Sequence, residues 1–486
     1  MFNNKIIRPL KTRKKIIQIR NFKQMDDKTN ELLVGYSTPR YMQNLHLDGG
    51  KLLTGIGLEE AKLTFGPGAY FVLPEIPGKI AEQLFVYYKY DHIKHVEDNR
   101  LIVRTKSGDF YDISIHKAGT QYKLIEGIKS TTNLSAVNYR YNNTDVILFC
   151  SKDLYLSMYD GNKVTTIYDA PQINSITEHY GRIFGSTYKE GDIWFSDDYN
   201  PQNWNVSLTE AGFIKFADNL GKTLKVLSFN GYVYIFREHG IYRLTAIGDQ
   251  KNFELVKVIE LSSKIYNNSI CQVMDKIVFL TNFGLFIFDG YSIKQVANNI
   301  LETTQILDET LVSSNMDSKY MLAYIGTNYD KGDSGIYNNR LISYDIKTDV
   351  LEINKGISIR DMVPIRVKRT TNSLALLNND TIGKVCMFNY SGSIHNNNLN
   401  YKYETVNSYL GDYNKIKFIR KIRINTKFDT EIILNIDGLK YNYHVKGSNT
   451  FSEIKVMKQG FSIGFSIVGN GKCDISGMEL EYEEVV

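Results

Sequence analysis

The sequence predicts an all-β chain: a β-propeller of about seven blades, a C-terminal antiparallel β-sandwich and an extended N-terminal arm. Three observations predict it. Tyr 34 and Phe 24 against Pro 8 in 486 residues favour pleated strands over helices. A strand–turn–strand unit recurs at 101–111, 146–156, 232–242 and 277–287. Two of the steps between starts are 45 residues, close to the ~40–50-residue period of four-stranded blades. Beyond a polar stretch at 391–398 the pattern changes to alternating strands joined by Asp-Gly and Asn-Gly turns.

The first segment, 1–80, reads as the arm and its lead-in to the propeller. Residues 1–24 carry Lys5, Arg8, Lys11, Arg13, Lys14, Lys15, Arg20 and Lys23 with no acid, so a net charge of +5 hides a net −3 on the rest. The other end is acidic, with Glu479, Glu481, Glu483 and Glu484. Such polarity suits an arm that contacts a partner. The apolar pairs Ile6-Ile7 and Ile16-Ile17 are too short for the core of an export signal, and no apolar run is long enough to span a bilayer. Residues 58–82, with Pro67, Pro74 and Pro77, are expected to connect this segment to the first blade.

Residues 81–395 read as the propeller. A unit beginning near Ile183 fills the gap between 146 and 232, and the series continues at Met321 and Leu374. Asp160-Gly161, Asn230-Gly231 and Asp289-Gly290 fall between strands, where tight hairpin turns need positive φ. Units that each expose an apolar face must stack on neighbours, and a closed ring is the simplest way to do so.

Residues 396–486 read as the sandwich, with strands at 415–424, 431–438, 461–468 and 475–482. Period 2 places Lys415, Lys417, Lys421 and Arg423 on one face of the first of these, opposite Ile416, Phe418, Ile422 and Ile424. Ile419-Arg420 breaks the alternation, which predicts a bulge. A basic strand face suits phosphate or an acidic neighbouring subunit; equally, it suits an edge charged against aggregation.

Little in the chain points to catalysis or to a cofactor. Cys150, Cys271, Cys386 and Cys473 are far apart and read as lone thiols of a reducing compartment. His92 and His95 sit between strand-like runs, where two imidazoles at this spacing point to opposite faces. The loop 330–335 holds two carboxylates but lacks the ligand series of a calcium site. Asp197-Asp198 offers acid–base chemistry on a glycan, yet adjacent residues of a strand diverge and no distant partner is evident. No enzyme, metal or cofactor is expected.

Both tryptophans fall in one stretch, 181–204. Ile193 and Phe195 alternate with Trp194 and Ser196, and Asn200-Pro201 turns the chain back to Trp204. The corner is formed by Arg182, Phe184, Trp194, Asn200, Pro201 and Trp204. Buried, its indoles are core; exposed, they would stack on a sugar.

Gly181, Arg182, Phe184, Ser196, Asp197, Asn200, Pro201 and Trp204 match a "GR-hydrophobic-F … YxSD…NPxxW" pattern, with Trp194 where the pattern has Tyr. The stretch resembles the tail-nozzle (tubular tail protein B) proteins and the packaged-DNA-stabilisation plugs of short-tailed bacteriophages. Residues 41–57 are similar to the segment leading into the propeller of those proteins, and 461–482 to their C-terminal module. The resemblance implies a non-enzymatic virion protein, assembled in the host cytoplasm, that forms a homo-oligomeric ring, a hexamer, in the neck or tail nozzle. It implies retention of packaged double-stranded DNA, contacted without sequence specificity, and a lining for its ejection channel. A portal-side adaptor, other tail proteins and tail fibres are the implied partners. The assembly contacts expected from the charge pattern are Lys11, Arg13, Lys14, Lys15 and Arg20 of the arm with Lys415, Lys417, Lys421 and Arg423 of the sandwich. The alternative is a carbohydrate-binding propeller of a receptor-binding or adhesion protein, or a propeller glycosidase using Asp197 or Asp198.

Overall fold

In the computed structural model the inner strands of successive sheets are tied to one another by polar side chains. The structure describes residues 14–64, 70–72, 76, 79–115, 122–306, 311–325, 339–367, 370–378 and 385–485. Strands make up 59% of the described residues and helix 3%, so the fold is nearly all β. Among the described residues, six four-stranded antiparallel sheets follow one another over 81–129, 135–166, 173–214, 223–260, 271–296 and 312–355, with the small hairpin Tyr90–Asp91 and Val96–Glu97 set between the first two strands of the first. A seventh is built from Ile359–Val367, Thr370–Leu377 and Val385–Asn389 and takes its outer strand, Gly57–Glu60, from the N-terminal side of the chain. Leu58 pairs with Phe388 and Glu60 with Cys386 in this closure. The arrangement is a β-propeller whose last blade holds both ends of the ring segment.

The ring is closed by hydrogen bonds between neighbouring inner strands. Ser135 Oγ accepts from Ile176 N at 3.2 Å and Ser175 Oγ from Val226 N at 3.0 Å. Gln83 Oε1 accepts from Leu134 N at 3.0 Å, and Asp361 Oδ2 from Leu84 N at 2.6 Å. Lys225 Nζ donates to Ile270 O at 2.6 Å, Ser313 Oγ to Asn268 O at 2.6 Å, and the Ser314 hydroxyl meets that of Ser373, on the second strand of the seventh sheet, at 2.7 Å. Each inner strand has no further strand on its axial side, so a short polar side chain there satisfies a backbone group that water would otherwise have to reach. Apolar side chains of the second and third strands pack between sheets: Phe236, Phe279 and Phe288 meet edge to face between the fourth and fifth.

The second unit is a sandwich of two sheets. One has the order Leu45–Asp48, Lys51–Thr54, Asp474–Val485, Ile416–Thr426, Phe451–Gly460, with Lys14–Ile19 also pairing with Asp474–Val485. The other runs Tyr41–Gln43, Asn400–Glu404, Ile463–Asn470, Thr430–Ile436, Leu439–Val445. The extended N-terminal segment is therefore laid into both sandwich sheets before it reaches the propeller. Ile419, Ile422 and Ile424 face Ile432, Leu434 and Ile467 in a core that runs on without a break into Leu280, Tyr320 and Leu322 of the fifth and sixth sheets. The joint is polar at its rim, where Glu352 Oε1 meets His46 Nδ1 at 2.6 Å and Leu47 N at 3.1 Å. The segment at 44–47 thus covers the outer edge of the sixth sheet, an edge that would otherwise offer free backbone groups.

Candidate functional site

The tryptophan corner is an internally satisfied device. Phe184 pairs with Phe195 and Gly185 with Trp194 across the hairpin of the third sheet, and Trp194 pairs in turn with Phe213. Phe184 and Trp204 are buried, Trp204 with 1% of its surface exposed, and its indole N–H donates to Pro201 O at 2.9 Å. Trp194 is half-buried and stacks on Phe213 with ring centroids 4.9 Å apart. Arg182 is buried and donates to Ser196 O at 3.2 Å, Glu210 O at 2.9 Å and Glu210 Oε2 at 2.6 Å, which fastens the loop 196–211 to the strand. Ser196 Oγ accepts from Ile183 N at 3.0 Å. Asn200 Oδ1 accepts from Gln202 N at 3.2 Å, which fixes the turn that Pro201 begins. Asp197 Oδ1 accepts from Asp198 N and Glu210 N at 3.0 and 3.1 Å, so this carboxylate caps backbone.

The basic residues of the sandwich meet acids of the same chain. Asp474–Val485 lies between Lys14–Ile19 and Ile416–Thr426, and its glutamates are flanked from both sides. Lys14 reaches Glu481 at 3.6 Å and Lys15 pairs with Glu484. Lys421 lies 3.0 Å from Glu453 and 3.7 Å from Glu481; Arg423 lies 3.1 Å from Glu453 and 3.5 Å from Glu479. Lys415 pairs with Asp412 at 3.0 Å. The two ends of opposite charge therefore complement each other within the fold. Arg20 is exposed, and Lys11 and Arg13 lie outside the described residues.

Period 2 does not hold through this strand. The register shifts between Ile419 and Lys421, and the extra residue, Arg420, inverts the alternation. Lys417 consequently lies on the buried side, with Ile419, instead of on the face of Lys421 and Arg423. Its ammonium donates to Asp412 O, and burial lowers its pKa.

Sequence reasoning did not single out the mouth of the propeller channel. A cavity of about 650 Å³ there is lined by residues from all seven inner strands or the turns leading into them, among them Glu82, Asn174, Lys225, Arg360 and Asp361. Two of its cations tie blades together: Lys225 through Ile270 O, and Arg360 through Ala81 O at 2.8 Å and Asn378 O at 2.9 Å. Burial lowers the Lys225 pKa and pushes the Asp361 carboxyl up to about 7. The hydrogen bonds from Leu84 and Met362 N–H and the nearby Arg104 act against that rise, while Glu82 adds to it. The sequence signal was a polar residue near the start of each first strand, too short to stand out from turn composition.

His92 and His95 are both exposed in a turn. The loop 330–335 and the prolines Pro67, Pro74 and Pro77 lie outside the described residues. Among the described residues, no group of three or more His, Cys, Asp or Glu is placed to hold a metal ion, and no helix is long and apolar enough to cross a membrane. The four cysteines are free thiols.

No family model matches the chain, and no curated protein matches it. Among solved structures it is similar to the WD40 domain of Neurospora crassa Pan2, with 10% identity, 70% of this chain and 96% of that one covered, and a TM-score of 0.39. It is similar to Chaetomium thermophilum Raptor, with 10% identity, 64% and 28% covered and a TM-score of 0.44. BamB from Moraxella catarrhalis gives 9% identity, 72% and 95% covered and a TM-score of 0.40. At such identities these likenesses concern fold alone.

Proposed function

We propose that this chain is a non-enzymatic structural protein of a tailed-phage virion, one subunit of a ring in the neck or tail nozzle that retains packaged double-stranded DNA and lines its exit. The observation that carries this reading is a pairing. Of the three stretches that resemble nozzle and plug proteins, 41–57 and 461–482 are far apart in sequence yet hydrogen-bond to each other. Leu52 pairs with Ile475, and Thr54 Oγ1 bridges Cys473 O at 3.0 Å and Cys473 N at 2.9 Å. The third stretch is the tryptophan corner, whose matched residues hold one another.

In this reading the propeller is a rigid wall block. Lys225 and Arg360 tie neighbouring blades around the mouth of its own channel, and in this reading the DNA passage runs between subunits around an axis. A hexamer is the ring the resemblance suggests, and closing it requires a heterologous interface on each subunit. The mutually paired charges of 14–15, 415–423 and 479–484 suit a wall segment that DNA slides along, because unpaired lysines there would bind phosphate. Lys5, Arg8, Lys11 and Arg13, ahead of the first described strand, are the proposed adhesive segment toward an adaptor or another tail protein, and no cofactor takes part.

Electron microscopy of the purified full chain and of particles tests this. Closed rings of about six or twelve copies on a phage neck support it; a chain that stays monomeric and is absent from particles contradicts it.

A further inference from the structure

Two solvent-exposed tyrosines at the edge of the third blade stand in a backbone conformation that bulky side chains avoid. Tyr180 has φ 45° and Tyr199 φ 50°, and they are 55% and 72% exposed. In the next blade the equivalent hairpin is Asn230-Gly231, with φ 48° and 80°, the residue pair such a turn favours. The third blade makes the same turn with Tyr180-Gly181, φ 45° and 81°. Neither ring is buried: Tyr180 meets His179 edge on, Tyr199 lies over Gly181, and both keep most of their surface in water. A commoner residue would relieve this strain, although the exposed Met274 and Met457 bear the same conformation at φ 52° and 53°.

Tyr199 is fixed in place. Its N–H donates to Gly181 O at 3.1 Å, and its ring lies so close over Gly181 that a Cβ there would stand 2.6 Å from Cε1. It forms one wall of an open cleft of about 390 Å³ between the first three blades, a volume within the ~300–1,000 Å³ of small-molecule sites. Tyr88, 40% exposed, and Tyr139 also line it, with Arg140, Asp145 and Glu178. Tyr139 is held by a hydrogen bond from its hydroxyl to Gly181 O at 2.7 Å. Asp145 Oδ2 accepts from Tyr90 N at 2.9 Å and Glu178 Oε1 from Gly181 N at 2.9 Å, which sets both carboxylates while leaving each its second oxygen.

We propose that this cleft is a saccharide-binding site, in which the faces of Tyr88 and Tyr199 stack on pyranose rings and Arg140, Asp145 and Glu178 hydrogen-bond their hydroxyls. The chemistry selects against other ligands. One cation beside two carboxylates repels phosphates and nucleic acid. A shallow opening rimmed by charged groups cannot desolvate a lipid chain. Aromatic faces combined with fixed polar groups suit a ligand whose rings have an apolar face and a hydroxylated edge. The platform continues along the same face: the Tyr180 hydroxyl reaches over Gly231, and Arg243 lies 4.7 Å from the Tyr232 ring and 5.4 Å from that of Tyr291. An oligosaccharide therefore fits better than a single sugar. This site does not depend on the virion reading, and either can fail alone.

The test is a printed array of glucose-, galactose-, mannose- and rhamnose-containing oligosaccharides probed with the full chain, followed by titration of the strongest hit. Binding is expected, weakened at least about tenfold by Tyr199→Ala and by Glu178→Gln, with melting temperatures within about 2 °C of the parent. Tyr168→Ala, which removes a ring 74% exposed outside the cleft, is expected to leave affinity unchanged. Absence of binding to any spot overturns the proposal. So does binding that survives both cleft substitutions in folded protein.

Discussion

Asp361 Oδ2 accepts the backbone N–H of Leu84 at 2.6 Å, and through this bond the last inner strand of the propeller latches onto the first. At the other joints between neighbouring blades the side chains are serines, a glutamine and a lysine, so the joint between first and last blades is the one made by a carboxylic acid.

That acid gives the latch a pH dependence. Burial pushes Asp361 up from 3.8 to about 7, so between those values the native state holds more protons than the unfolded chain. Its contribution to stability is full below about pH 4 and is lost as pH rises through about 7. His179 works in the opposite sense, because burial lowers it from 6.5 to about 4 and its neutral form favours the fold as pH rises between those values. Comparison with Asp361→Asn separates the two, since asparagine keeps an acceptor for Leu84 but cannot ionise. The melting temperature of the variant should gain on the parent steadily from about pH 4 to about pH 8. A difference that stays constant over that range would refute the latch.

Trp204→Ala should destabilise the propeller by about 3–5 kcal/mol, because the indole is 1% exposed and packs against Ile176 and Ile183. Trp204→Phe should cost less, losing chiefly the bond to Pro201 O. Urea denaturation measures both; equal stabilities of Trp204→Ala and the parent would mean that the corner is not part of the core.

Much of this architecture was legible in the sequence, and the reason is burial. The repeat starts at 101, 146, 183, 232, 277, 321 and 374 all fall in the second strand of a sheet. Second and third strands are covered on both faces and carry continuous apolar runs; first and fourth strands mix buried and exposed positions. The closing strand Gly57–Glu60 carried no such signal, because its partner at 386–389 is more than three hundred residues away. The bulge at Arg420 was visible as broken alternation, but its consequence for Lys417 was not, since period 2 was carried across it. Charge polarity between the ends was plain in composition. That Lys14–Ile19 and Asp474–Val485 satisfy each other is a tertiary fact. The tyrosine cleft depends on three blades meeting and on φ values, neither of which a sequence displays.

Removal of residues 1–20 should loosen the sandwich. It uncovers one edge of Asp474–Val485 and deletes Ile19, 3% exposed, whose burial alone is worth about 1.5–3 kcal/mol. Amide exchange of 478–483, which pair with Lys14–Ile19, should accelerate in the truncated chain. Unchanged protection there would show that the pairing contributes nothing.

Tyr180→Asn should raise stability by about 0.5–1 kcal/mol, because it gives the third blade the Asn-Gly hairpin already present at 230–231. Thermal melting reads this directly, and a loss of stability would mean that the contact of Tyr180 with His179, ring centroids 4.4 Å apart, outweighs the turn.

Assembly into a ring is the property on which the proposed role depends most. Single-particle electron microscopy of the purified full chain, with mass measured in solution at the same concentration, is the most direct measurement. Closed rings are expected, six- or twelvefold, with a central passage between subunits wide enough for a DNA duplex. A monodisperse monomer at every concentration tested, with no ring on particles, would contradict that role.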